Sequence, residues 1–420
     1  MENINSNIND EMNNKKEEKL MNKNFLLMLQ GGVVSLFGNV LYSLAIGYYV
    51  YNTTGSEALM GILSSISMFM MMFLSPVSGA IIDRSDRKKF IVAIDLISGV
   101  LMLGIGFLCM NNYLNIPLLT LFTIIIAFVG VFYNPAISTI LIDIVPKSEF
   151  VRANSIVSSM QSVVQLVSRG ISGFLLIYFG VGQLIIFNGI SYIFSALSEC
   201  FINVPKTPNQ GTGVNLGNIK DDLVTGFKAM FHNAGLRVIF VLAVVINLCS
   251  SGMSSLYLIF TSQKGFSVEQ YGLMLSIIAV GSLIGAVLVS SVKLSAKNRY
   301  RVMCVGFILT IGFSILGYLA KDFYVISSSL AVSSLFSAVS NMFLSASIML
   351  LMPEENRAAC IGFLSASCMG GMALSTLIYG LLGELFPIAN IAIVGSLISM
   401  IPMIMFTRSK EVKAAVLSEK

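Results

Sequence analysis

The sequence predicts an all-α integral membrane protein with twelve spanning helices, and three observations carry that prediction. The 420 residues are 55% hydrophobic and only 11% charged, with mean hydropathy +0.84, whereas soluble domains hold about a quarter charged residues. Uncharged apolar runs of about 20 residues, the length a bilayer core demands of a helix, recur along the chain. Short polar breaks, several of them basic, separate those runs.

The spans are expected at 25–51, 58–82, 90–110, 117–142, 153–179, 183–203, 237–261, 268–292, 302–320, 323–352, 359–383 and 387–407. The tenth is long enough to hold a re-entrant break. Residues 1–23 are Asn-rich with mixed charges and are expected to form a disordered cytoplasmic tail. The first apolar run is too long for the h-region of a signal peptide.

Basic residues set the orientation. With the N-terminus inside, all 26 Lys and Arg lie on the cytoplasmic side except Lys264 and Lys321 outside and Arg169 within a span. Both termini are therefore expected in the cytoplasm of a bacterial cell, and 408–420 forms a second tail. The net charge of +5 reflects this topology rather than nucleic-acid binding. The six cysteines lie in or beside apolar spans without metal-ligand spacing. They read as small apolar packers, so no metal site, disulfide framework or cofactor is expected.

The chain repeats weakly at half its length. Asn134 to Ser138 followed by Val145-Pro146 matches Asn341 to Ser345 followed by Met352-Pro353, and Arg152-Ala153 matches Arg357-Ala358. Ser56, Gly61 and Ser65 correspond to Ser267, Gly272 and Ser276. The shared order predicts a duplicated six-span unit, 24–204 and 237–407, related about an axis along the membrane normal. Between the units, 205–236 is polar. There Leu216, Ile219, Leu223, Phe227, Met230 and Phe231 recur at helical spacing, which predicts an amphipathic helix on the inner membrane surface, tethering the halves.

One loop is unusually charged for its place between two spans. Gly79 lacks a side chain and permits close helix packing. Asp83 follows at the inner membrane surface, and Arg84, Asp86, Arg87, Lys88 and Lys89 come next. Arg84 and Arg87 can pair with Asp143 at the inner end of span 4 or with Asp95 near the start of span 3. Gly79, Asp83, Arg84, Arg87, Lys88 and Asp143 then form a conformational latch holding the cytoplasmic side closed. The plainer alternative is a topology signal. The second half has Val289 where the acid would fall, so such a latch is one-sided.

This loop, with Asn24-Phe25 through Gly38 and Val145-Pro146 through Asn154, resembles the major facilitator superfamily. These residues look like one branch of it, which contains bacterial macrolide-efflux proteins and enterobactin exporters. The resemblance implies two six-helix bundles with a substrate site between them, and places the helix opposite Asp83 at span 11. It departs in two places. The family often has an acid in the first span where this chain has Asn39, and a Gly-Pro pair in the fifth where this chain has Ser168-Arg169-Gly170.

Arg169 lies roughly 24 Å along its helix from Ala153, at 1.5 Å per residue, too deep to reach the inner surface easily. It faces the central cavity, where it favours neutral or anionic cargo, or it bonds Gln165, Gln161 or helix carbonyls. Asn39, Gln161, Gln165, Arg169 and Asn247 are the candidate cavity residues. Asp95 and Glu199, each read as lying near the water interface, are the candidates for carrying protons.

The resulting expectation is a monomeric secondary exporter of small amphipathic, macrolide-like molecules, driven by the proton gradient and in contact with membrane lipid. A siderophore or anionic metabolite is the alternative cargo, and a non-transporting receptor or scaffold a remoter role. No phosphate-binding Gly-rich loop is present to support ATP-driven transport. An enzyme is disfavoured: the sole histidine, His232, lies in the linker, no carboxylate pair is evident inside a span, and no catalytic residue is assigned.

Overall fold

The computed structural model describes residues 20–82, 85–146, 149–203, 216–291, 295–352, 357–409 and 413. Their order is α1 (Lys23–Thr54), α2 (Glu57–Ile82), α3 (Arg87–Met110), α4 (Ile116–Gly130), α5 (Tyr133–Ile144), α6 (Phe150–Phe179) and α7 (Val181–Cys200). Then follow α8 (Leu216–His232), α9 (Ala234–Gln263), α10 (Val268–Ser291), α11 (Ala296–Leu319), α12 (Phe323–Leu351), α13 (Arg357–Gly383) and α14 (Ile388–Arg408). With α4 and α5 counted together and α8 set aside, 12 are long and apolar enough to cross a membrane.

Local chemistry explains the boundaries. Asn22 caps α1 by accepting the Phe25 N–H at 2.8 Å, and Gly55, at φ +65°, ends it. Asp86 caps α3 through the Lys89 N–H at 3.2 Å. Asn115 caps α4 at 2.9 Å, with Pro117 in the first turn, where a missing N–H costs nothing. The fourth span breaks at 131–132 because Pro135 has no N–H for the Val131 carbonyl and its ring crowds that turn. The tenth span, long enough to hold a break, is one helix, Phe323–Leu351.

The helices pack as two six-helix bundles, α1–α7 and α9–α14. Within the first, α3 and α7 approach closely because Gly99, Gly106, Gly182 and Gly189 face the partner helix. The C-terminal half of helix α8 packs on the second bundle. Its Phe227 stacks edge-on against Phe363 of α13 with centroids 5.7 Å apart, Phe231 meets Phe240 of α9 at 5.3 Å, and Met230 is fully buried. The described C-terminal part of the apolar stripe thus packs partly on the second bundle, while Val224 and Phe227 stay exposed.

One end of the molecule carries Arg87, Lys88, Lys89, Arg152, Arg237, Arg299 and Arg408, and the opposite end Lys264 and Lys321. At the opposite end, a single apolar core runs through both bundles, joining Leu44, Val50 and Met60 to Met253, Tyr271, Tyr379 and Ile391. At the basic end the bundles have separate cores. Phe25, Ile91, Ile140 and Ile144 belong to the first bundle, and Ile239, Met303, Leu344 and Phe406 to the second. Among the described residues, the buried core is thus shared by the bundles at one end and separate in each at the other.

Candidate functional site

The junction between the bundles is built from small residues and hydrogen bonds. α2 crosses α13 where Gly61 meets Gly380, and α6 crosses α10 where Gly173 meets Gly272. A Cβ on Gly61 would lie 2.8 Å from the Gly380 Cα, and one on Gly173 2.9 Å from the Gly272 Cα. Ser276 Oγ donates to the Gly170 carbonyl at 3.0 Å beside the second crossing. At the rim, Glu57 Oε1 accepts from Gln263 Nε2 at 2.7 Å. Glu384 Oε1 accepts from Ser56 Oγ at 2.6 Å and from the Ala58 N–H at 3.0 Å, so a carboxylate of one bundle caps a helix of the other. Those two bonds, the Ser56 hydroxyl first, hold the Glu384 carboxyl below its ordinary range.

Lys264, at the same end, donates to the Tyr318 and Ala320 carbonyls at 3.0 and 2.8 Å and lies 5.7 Å over the Phe260 ring. Partial desolvation, with Lys321 nearby, lowers its ammonium from the usual lysine value.

A cavity of about 450 Å³ opens inside the second bundle. Its polar lining is uncharged and mainly hydroxyl: Tyr257, Thr310, Ser314, Tyr318, Ser333 and Ser337 are among the groups present, with Asn341 as an amide. Ser314 and Ser333 hydroxyls pair at 2.7 Å, and Ser333 reaches the Thr310 carbonyl at 2.9 Å. Sequence reasoning missed this site. Its signal was Leu330, Ser334, Ser337 and Asn341, which recur at helical spacing on one face of α12.

None of the five expected cavity residues lines that space. Asn39 is engaged within the first bundle, accepting from Tyr192 Oη at 2.8 Å and Asn188 Nδ2 at 3.3 Å. Asn247 donates to the Ala243 carbonyl at 2.9 Å on its own helix. Gln161, Gln165 and Arg169 are exposed and share one stripe of α6 with Asn154 and Ser158. Arg169 acts electrostatically on Tyr271 of α10, in the other bundle.

Of the charged loop, Asp83 and Arg84 lie outside the described residues, and Gly79 is in the last turns of α2. Arg87 Nη1 pairs with Asp143 Oδ2 at 2.6 Å, with side-chain exposures of 22% and 11%, joining α3 to α5 inside the first bundle. Lys88 is half-buried beside it. Asp86 is held below the usual carboxylate value chiefly by the Lys89 N–H.

Asp95 and Glu199 differ most from expectation. Both side chains have 0% exposure rather than facing water. They share one site, acting on each other electrostatically, with Ser195 between them. A carboxylate pair does therefore lie within the spans. Burial comes from α1, whose Gly31 and Ser35 let α7 approach and close over the acids.

Comparison with known proteins agrees with this architecture. The major facilitator superfamily profile matches residues 28–295 and 240–420. Macrolide efflux protein A of Streptococcus pyogenes is 22% identical over 217 residues, covering 50% of this chain and 52% of that protein. The uncharacterized MFS-type transporter YkuC of Bacillus subtilis is 23% identical over 308 residues, 71% of each chain. The chain spans about half the length of the macrolide relatives it matches. Among solved structures, an inward-facing bacterial homologue of the lysosomal transporter Spinster superposes with TM-score 0.66 at 15% identity, covering 94% of this chain and 97% of that one. The nucleoside transporter NupG superposes at 0.67 and 14%, covering 94% and 100%. Twelve spans in two bundles, a junction at one end and a profile covering nearly all the chain agree on one assignment: this protein belongs to the major facilitator superfamily.

Proposed function

We propose that this chain exports small amphipathic, hydroxyl-bearing molecules of macrolide-like chemistry across the bacterial cytoplasmic membrane by alternating access, using the proton gradient. The observation that carries this reading is the distribution of the cores. Among the described residues, one core joins the bundles at the lysine-poor end, and the cores at the basic end each stay on one side of the junction. The positive-inside rule puts the basic end and both termini in the cytoplasm. The arrangement is then open to the cytoplasm and sealed outside, ready to take cargo from within.

Cargo chemistry follows from the walls. The cavity offers hydroxyls and aromatic faces without a formal charge, which suits a neutral polyoxygenated ligand and gives a cation no counter-charge. The matched macrolide-efflux relatives support the same class. Helix α6 exposes two stripes, one apolar with Val163, Val167, Phe174 and Ile177, and one polar ending in Arg169. Lipid accepts the first and a water-filled opening the second, so Arg169 borders the translocation path. That cation favours the second reading, an anionic cargo such as a siderophore. Arg87 and Asp143 brace the cytoplasmic end of the first bundle as it moves.

The test is accumulation of a labelled macrolide, a cationic dye and a ferric siderophore in an efflux-deficient bacterium, with and without an uncoupler. Lower macrolide accumulation that the uncoupler reverses supports the proposal. Selective lowering of the siderophore favours the second reading, and no gradient-dependent change in any probe defeats both.

A further inference from the structure

The geometry points to a buried proton-binding site formed by Asp95 of α3 and Glu199 of α7, which replaces the missing acid at Asn39 as the carrier of the coupling proton. This inference rests on the transport reading above and supplies the residues that reading lacks.

The site is built rather than incidental. Both carboxylates have 0% exposure, and Asp95 Oδ1, Asp95 Oδ2 and Glu199 Oε2 have no hydrogen-bond partner. Ser195 Oγ, also fully buried, faces both acids and lies 3.5 Å from Glu199 Oε1. The groups acting on the pair from neighbouring helices are phenols: Tyr133 of α5 near both acids, and Tyr192 of α7 near Asp95, with Tyr42 of α1 beyond it. The cations on the packed helices are committed or distant in effect. Arg87 pairs with Asp143, Arg152 with Glu149, Arg169 acts on Tyr271, and Lys23 is exposed at the start of α1. Two carboxylates sharing a dry site with no cation among the described residues cannot both be charged. The pair therefore holds a proton, shared as a dyad. Two carboxylates and one hydroxyl offer too few well-placed oxygens to replace the hydration shell of a metal cation.

The site has two polar exits. Toward the basic end, Glu199 is the penultimate residue of α7, and Ser198 beside it accepts from Gln30 at 3.2 Å. Toward mid-membrane, Ser195, Ser191, Asn188 and Tyr192 form one stripe of α7 that meets Asn39. Asn39 cannot carry a proton, but it orients the Tyr192 hydroxyl that lies near Asp95. Asn39 thus serves as a positioning group for Tyr192. A proton leaving the dyad places an uncompensated charge between α1, α3 and α7. Because α1 also reaches the second bundle, where Tyr51 meets Ser262 at 3.3 Å, that charge biases the two arrangements differently.

The decisive measurement is the infrared carbonyl stretch of protonated carboxyl groups, recorded on the purified full chain in lipid nanodiscs at neutral pH. The wild-type protein should show a band that is lost in the double variant Asp95→Asn/Glu199→Gln and reduced in each single variant; sodium should leave it unchanged. The same vesicle-reconstituted variants should exchange labelled macrolide by counterflow while losing all uphill accumulation. A wild-type spectrum indistinguishable from the double variant overturns the site, as does a band that sodium removes or uphill transport that survives in both single variants. If the double variant does not fold, the isosteric single variants and Ser195→Ala carry the spectral test. Should the wild-type chain move no macrolide while the band behaves as expected, the cargo reading fails and the proton site stands.

Discussion

Glu57 of the first bundle and Gln263 of the second are joined by a 2.7 Å hydrogen bond, and Gln263 Oε1 in turn accepts the Ile388 N–H at 3.0 Å. One amide thus ties the start of α2 to the start of α14 across the sealed end. Glu57→Ala removes the acceptor of a Gln263 N–H on a solvent-exposed side chain, which should cost the sealed arrangement about 0.5–1.5 kcal/mol, the net worth of one hydrogen bond. Spin labels at Thr53 and Ser262 should show a larger fraction of long distances in Glu57→Ala, and close to the native distribution in Glu57→Gln, which retains an acceptor oxygen.

Acid should loosen the same end. Glu384 is held below its ordinary range by Ser56 and Ala58. A depressed carboxyl contributes above the ordinary value, about 4.3 for Glu, and its contribution is lost as pH falls through the depressed value. The distance between spin labels at Thr53 and Ser262 should be flat from neutral pH to about 5 and lengthen below about 4. Glu384→Gln should show the longer distance at neutral pH and lose the acid dependence.

Bulk at the crossings should prop the molecule open. Gly61 and Gly173 face backbone atoms of Gly380 and Gly272, which have no side chain to swing aside. Gly61→Leu and Gly173→Leu should insert normally but expose the outer end to labelling and abolish transport. An unchanged labelling pattern would mean the crossings are not the seal.

The Arg87–Asp143 pair should behave as a brace within one bundle. Both side chains are mostly buried, so Asp143→Asn should cost about 1.5–3 kcal/mol, the worth of a hydrogen bond to a charged group, read as lower thermal stability. Arg87→Gln should cost more, because Arg87 has a further interaction. Exchanging the two residues should recover part of the loss, as a double-mutant cycle would record.

Arg169→Ala should shift selectivity while leaving expression intact. Accumulation assays should show less export of anionic probes and more of cationic ones. Equal effects on all probes would mean that Arg169 supports structure instead.

The twelve spans and their pairing into two bundles were legible because apolar length and repeated motifs are properties of the chain itself. The break near Phe132 was not foreseen in the span read at 117–142, because proline kinks and proline tolerances look alike until a partner helix chooses between them. The Arg87–Asp143 pair was readable from charge at matching depth. Asp95 and Glu199 were singled out individually, but their meeting was not readable: it depends on α1 covering α3 and α7, and depth along a helix does not reveal which face is buried. The hydroxyl cavity was hidden for a different reason. Serine is a routine helix packer in membranes, so the face shared by Ser334, Ser337 and Asn341 gained meaning only when five neighbouring helices left space beside it.

Everted membrane vesicles give the most direct test of the account, because they present the basic end to the medium. With a proton gradient imposed, acid inside, vesicles containing this chain should accumulate a labelled macrolide above the external concentration, and collapse of the gradient should release it. Accumulation that ignores the gradient, or its absence for the macrolide and the siderophore alike, would contradict export through a cytoplasm-facing opening.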